Sequence, residues 1–146
     1  IKLHMVGKLQ TNKVKYVIPL FDYLHSLDNI KLAKKISIEQ KKINKKIKIF
    51  IKIKLGNESQ KGGVEPNELE NFYKNCTNEL GLDIIGLMSI PPNDNQSNYY
   101  FSEMKKLKSL INTKELSMGM SGDYLEAIKH EATFIRIGSN IFGQRS

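Results

Sequence analysis

Along the chain, short apolar runs alternate with stretches whose apolar residues recur every three or four positions, the pattern of strands followed by helices. Leu3, His4, Met5, Val6 and Gly7 read as the end of a strand, followed by a helix over residues 12–19. Residues 23–27 read as a second strand. Asp28 is placed to cap a helix over 29–42, in which Ile30, Leu32, Ala33 and Ile36 form one apolar stripe. The clearest strand is 47–55. Ile47, Ile49, Ile51 and Ile53 occupy one face, and Lys48, Phe50, Lys52 and Lys54 the other. After a glycine-containing loop from Gly56 to Gly63, Pro66 sits near a helix start. Leu69, Phe72, Tyr73 and Cys76 then recur at helical spacing as far as Leu80, and Gly81 is a credible stop. Residues 84–90 form an apolar buried strand ended by Pro91 and Pro92. A helix over 99–110, a strand at 116–118, a helix opening at Gly122 and Asp123 and running to His130, and a last strand at 134–137 complete the series.

Repeated strand–helix alternation implies a parallel sheet. An open doubly wound sheet and a closed (β/α) barrel both fit it. A full (β/α)8 TIM barrel has eight such units in about 250 residues. Six units in 146 residues that begin without Met are expected to be one incomplete barrel domain, residues 1–146, lacking its first two units. No linker, low-complexity tract or short repeat interrupts the series.

Composition narrows the function classes. The chain is 40% hydrophobic, which excludes general disorder, and it has no apolar run long enough to span a membrane. No signal peptide is visible. Cys76 is the only cysteine, so internal disulfides and multi-cysteine zinc sites are excluded, and a reducing cytoplasm is expected. Cys76 itself is expected to be a semi-buried packing residue. The net charge of +8 raises nucleic-acid binding as an alternative. Yet 21 lysines stand against two arginines, and phosphate-reading surfaces usually enlist arginine, so no specific nucleic-acid partner is expected. Both arginines, Arg136 and Arg145, lie near one C-terminal motif.

Several site signatures are absent. There is no HExxH, no GxSxG elbow and no GxGxxG after an early strand. His4, His25 and His130 are too scattered for a ligand set on sequence grounds. Residues 138–143 have the glycine spacing of a phosphate loop, but Gln144 stands where the lysine is required.

Two segments remain, 116–123 and 136–143, each at the carboxyl end of a predicted strand. In a (β/α) barrel these strands are the seventh and eighth, whose loops often form a phosphate site. Glycines let backbone N–H groups approach an anion, Ser121 and Ser139 add hydroxyl donors, and a helix N-terminus adds positive potential. Two ordinary strand-to-helix turns are an equally good reading of the same residues.

The strings running from His4 to Lys15, Gly86 to Pro91, Leu116 to Ser121 and Arg136 to Gly143 resemble the YggS/PROSC family of pyridoxal phosphate homeostasis proteins, and the resemblance extends from Leu3 to Arg145. It implies a barrel of the alanine racemase N-terminal type. It also implies a protein that carries or buffers pyridoxal 5′-phosphate (PLP) in vitamin B6 homeostasis without established turnover. By the same resemblance, Ser121, Gly138 and Ser139 hold the cofactor phosphate and Arg136 faces the pyridine nitrogen. A guanidinium keeps that nitrogen unprotonated and the ring a weak electron sink, which suits a carrier or a narrow racemase-like enzyme. His4 and Asn12 lie near the cofactor rim, or serve capping and packing roles. Met120, with Met88 and Met118, walls the ring or fills the core. Lys54 points to the barrel mouth and Lys61 matches a lysine of relatives, although both also read as solvated charges. Relatives form a Schiff base through a lysine on their first strand. No lysine here matches it, so this chain is expected to lack that link and to expose apolar edges. PLP-dependent apo-enzymes are the implied acceptors, and the full-length protein is expected to be a monomer. A PLP-dependent racemase-like enzyme is the alternative, with a basic nucleic-acid-binding protein behind it.

Overall fold

The computed structural model describes residues 1–57 and 62–146. Six parallel strands form one sheet in the order of the chain: β1 (His4–Met5), β2 (Tyr23–Leu27), β3 (Lys48–Lys52), β4 (Asp83–Met88), β5 (Glu115–Met120) and β6 (Phe134–Arg136). Each strand is followed by helix: α1 (Val14–Leu20), α2 (Ile30–Ile43), α3 (Leu69–Lys74), α4 (Ser97–Leu110), α5 (Tyr124–Lys129) and α6 (Ser139–Phe142). The expected alternation is therefore present, and an extra one-turn helix, α6, follows the last strand.

The Ile/Lys strand shows how the layers arise. Ile49, Ile51 and Ile53 of β3 and its extension are buried with Leu32, Ala33, Ile36, Leu69 and Cys76 in the apolar layer between sheet and helices. Phe50, on the opposite face, is also fully buried, and there it meets aromatic rings rather than helices. Cys76, expected to be half-covered, is completely buried in the core, and burial pushes its thiol up to about 12. The expected Asp28 cap is also corrected. Asn29 has the extended backbone of an N-cap and its side chain accepts from Leu32 N at 2.8 Å, while Asp28 accepts from the Asn29 side-chain amide.

An open sheet and a barrel are told apart by the edges. β1 and β6 pair on one side only, yet the ring of Phe134 on β6 lies 5.9 Å from His4, 5.7 Å from Tyr23, 6.0 Å from His25 and 5.2 Å from Phe50, centroid to centroid. Residues of the first three strands reach the sixth across one concave face, so the sheet is curled as in a barrel and is incomplete. Register shifts in β2–β3, β3–β4 and β5–β6 supply local bends. Two glycines permit the curl. A Cβ at Gly86 would overlap the Glu115 carbonyl. Gly119 has φ +97° and would set a Cβ 2.7 Å from that of Ala127 on α5.

Candidate functional site

All six strands run the same way, so their carboxyl ends share one side of the sheet, where a large cavity opens. Its volume is about 1140 Å³, and its walls come from β1, β2 and the segments around β5 and β6. The turn after β5 contributes Met120, Ser121 and Gly122, and β6 with its turn contributes Phe134 to Ser139. The two segments singled out in the sequence thus face one space.

At one end, the two turns touch. Backbone N–H groups of Gly138 and Asn140 donate to Ser121 Oγ at 3.4 and 3.3 Å, and the Asn140 side-chain amide donates to the Ser121 carbonyl at 3.2 Å. Backbone N–H donors normally settle near 2.9–3.0 Å. These two converge on one oxygen at the long limit, the state of donors with capacity left for a better acceptor. Gly138 and Ser139 are exposed and Ser121 half-buried. Since α6 is a single turn, its contribution is these local N–H groups and not a macrodipole.

At the other end, Arg136 reaches inward from β6. Its Nη1 donates to Ser117 Oγ and its Nη2 to the Ser89 carbonyl, both at 2.7 Å. Two of five guanidinium donors are so engaged, and the residue is among those lining the cavity. Burial pushes its pKa down to about 10, partly offset by Asp123, which still leaves a full cation at neutral pH. Beyond Ser117 the polar contacts continue. Ser117 Oγ lies 2.7 Å from His25 Nδ1, and His25 Nε2 lies 2.9 Å from His4 Nδ1. His25 is 2% exposed, and burial, with the nearby His4 and Arg136, pushes its pKa down to about 4. The His4 ring stacks on Tyr23 at 4.1 Å, and burial lowers its pKa against the opposing pull of Asp22.

Of the residues expected at a site, His4, Met120, Ser121, Arg136, Gly138 and Ser139 all line this cavity. Asn12 does not. It lies in the 3-10 turn Thr11–Lys13 and lines a shallow groove with Lys31, Lys34 and Lys35 of α2. Lys61 falls outside the described residues. Met88 and Met118 are fully buried, and Lys54 pairs with Glu65 at 3.1 Å instead of facing the mouth. No lysine is among the described residues lining the cavity. Sequence reasoning missed His25, Ser117 and Ser89. The available signal was alternation: Tyr23 and His25 share one face of β2, and a polar side chain inside an otherwise apolar strand marks an inward-facing group. The three histidines were judged too scattered to meet, yet two of them touch. Among the described residues, no three His, Cys, Asp or Glu side chains converge as a metal site.

Comparison with known proteins places this geometry. Residues 2–146 match the family described as alanine racemase, N-terminal domain. A pyridoxal phosphate homeostasis protein of Synechocystis is 39% identical over 99% of this chain and 71% of its own length. The chain belongs to that family. A second such protein, from Aquifex aeolicus, is 37% identical over 97% of this chain and 66% of its own length, so the chain spans about two thirds of these curated relatives. PipY of Synechococcus elongatus, whose structure was solved with PLP bound, superposes with a TM-score of 0.91 at 28% identity, covering 98% of this chain and 71% of PipY. The curled six-stranded sheet is thus the alanine-racemase-type barrel, with the sequence expectation of fold and family correct. Among the described residues, no helix is long and apolar enough to cross a membrane.

Proposed function

We infer that this chain holds pyridoxal 5′-phosphate in the cavity at the carboxyl ends of its strands, as part of cofactor homeostasis and without turnover of its own. The observation that carries the reading is the pairing of two features in one space. One is a turn whose N–H groups and serine hydroxyls are incompletely used. The other is a half-buried arginine with donors to spare. The first suits a phosphate and the second an acceptor nitrogen. The cavity slightly exceeds the range of about 300–1,000 Å³ typical of small-ligand sites.

Bound there, the cofactor supplies an electron-withdrawing ring and an aldehyde. The chain's own residues bind and orient it. Ser121, Gly138 and Ser139 hold the phosphate, and Met120 and His4 border the ring. Arg136 donates to the ring nitrogen while keeping its own protons, which leaves that nitrogen without a positive charge and limits carbanion chemistry at the ligand. That restraint suits a holding role and a narrow racemase-like one alike, so a racemisation assay decides between them. PLP-dependent apo-enzymes are the proposed recipients, and a monomer the proposed state of the full-length protein.

The test is a calorimetric titration with 4-deoxypyridoxine 5′-phosphate, which lacks the aldehyde and so forms no Schiff base with any of the 21 lysines. Saturable binding that falls at least roughly ten-fold for the phosphate-free analogue, the loss of one charge-assisted hydrogen bond or more, is expected. Equal binding of both analogues, or none of either, overturns the reading. Racemisation of alanine or serine at enzyme-like rates would overturn the claim of no turnover.

A further inference from the structure

The contacts from Arg136 to His4 have a direction that heavy-atom distances alone do not reveal. An arginine can only donate, so Ser117 Oγ accepts a hydrogen bond from Nη1 and cannot donate to it in return. Ser117 is fully buried, and its one remaining hydroxyl proton needs an acceptor. The nitrogen 2.7 Å away, His25 Nδ1, is the acceptor the structure provides. If His25 instead carried its proton on Nδ1, two donors would point at Ser117 and its own hydroxyl proton would be left unpaired in the core, an expensive arrangement. His25 is therefore bare at Nδ1 and protonated at Nε2. Its Nε2–H then donates to His4 Nδ1 across 2.9 Å, which leaves His4 protonated at Nε2. Charging either ring would set two donors against each other, and burial already lowers both pKa values. Stacking on Tyr23 at 4.1 Å and 4° fixes the plane of the His4 ring.

We propose that Ser117 and His25 are positioning residues, which transmit the fixed polarity of Arg136 so that His4 presents a neutral ring with an Nε2–H donor to an oxygen atom of the cavity's ligand. His4 lines the cavity and its Nε2 has no partner among the described residues, so this donor is available. The arrangement favours a ligand that carries, besides a phosphate, an acceptor oxygen such as a phenolate, carbonyl or carboxylate. It disfavours a donor group at that point. The phosphate-bearing ligand rests on the reading in the previous section, whereas the polarity of the relay rests on the hydrogen bonds alone.

The experiment is two-bond 1H–15N correlation NMR on the [15N]histidine-labelled chain near pH 7, with signals assigned through His4→Gln and His130→Gln. Neutral Nε2–H forms of both His4 and His25 are expected, and an Nδ1–H or mixed form of His25 overturns the proposal. Ser117→Ala is expected to unlock the His25 tautomer and, through it, to shift His4, which Ser117 does not contact. Ser117→Thr keeps the hydroxyl and should restore both. A His4 signal indifferent to Ser117→Ala refutes the relay, and if that variant fails to fold the wild-type pattern still decides. Binding of 4-deoxypyridoxine 5′-phosphate should shift the His4 Nε2–H signal, and a bound ligand that leaves it unmoved refutes the donor role. Correct tautomers with no binding at all would count against the PLP reading alone.

Discussion

Acidification should loosen the fold well before its carboxylates protonate, because His25 is locked in neutral form. Burial, His4 and Arg136 together hold its pKa at about 4, against an ordinary value of 6.5. Between those limits the unfolded chain takes up a proton that the native chain refuses. Stability is therefore complete above pH 6.5 and is lost as pH falls toward 4. From those two values, the loss is about 2 kcal/mol at pH 5 and approaches about 3 kcal/mol below pH 4. The half-buried His4, lowered in the same direction, adds to the loss in the same window. Asp22, Glu39 and Glu131 are held below the ordinary carboxylate range by their partners, so their contributions disappear only at more acidic pH. For a chain of this size, a loss of about 2 kcal/mol corresponds to a Tm roughly 4–8 °C lower. Urea unfolding followed by circular dichroism at half-unit intervals from pH 7.5 to 4.5 measures it, with His25→Gln as the control that removes the titration. A wild-type midpoint that stays flat between pH 6.5 and 4.5, or a variant that follows the same slope, would refute the reasoning.

Removing both hydroxyls proposed to hold the phosphate, Ser121→Ala with Ser139→Ala, should weaken retention of 4-deoxypyridoxine 5′-phosphate by roughly ten-fold or more per hydroxyl while leaving the Tm nearly unchanged, as titration and thermal melts would show. Gly119→Ala should destabilise by about 2–4 kcal/mol in urea unfolding, because φ is +97° and the new Cβ would press on Ala127. Cys76 should resist a water-soluble disulfide reagent in the native chain and react promptly in denaturant, since burial holds its thiol near 12.

Fold was legible wherever period and burial agree. The apolar stripe of α2 places that helix within one residue of its expected bounds, and the Ile/Lys alternation places the start of β3 within one residue, although the strand ends three residues before its expected bound. Ends were less legible. Asp28 and Asn29 are both good capping residues, and only backbone conformation shows that Asn29 takes the role. The meeting of the two turns at Ser121, Gly138 and Asn140 could be read from glycine and serine because local turn chemistry creates it. The relay could not, because His25 and Ser117 meet only when the sheet curls and His4 and His25 only when β1 pairs with β2, at separations of 92 and 21 residues. Asn12 shows the converse. It stands close in sequence to a cavity residue, His4, yet the 3-10 turn carries it to a different surface.

The most direct test is an experimental structure of the chain with 4-deoxypyridoxine 5′-phosphate bound. The phosphate is expected between Ser121 and the Gly138–Ser139 turn, with the ring nitrogen at Arg136. A phosphate seated elsewhere, for instance in the lysine-lined groove of Lys41, Lys45 and Lys46, or a ring turned away from Arg136, would contradict it.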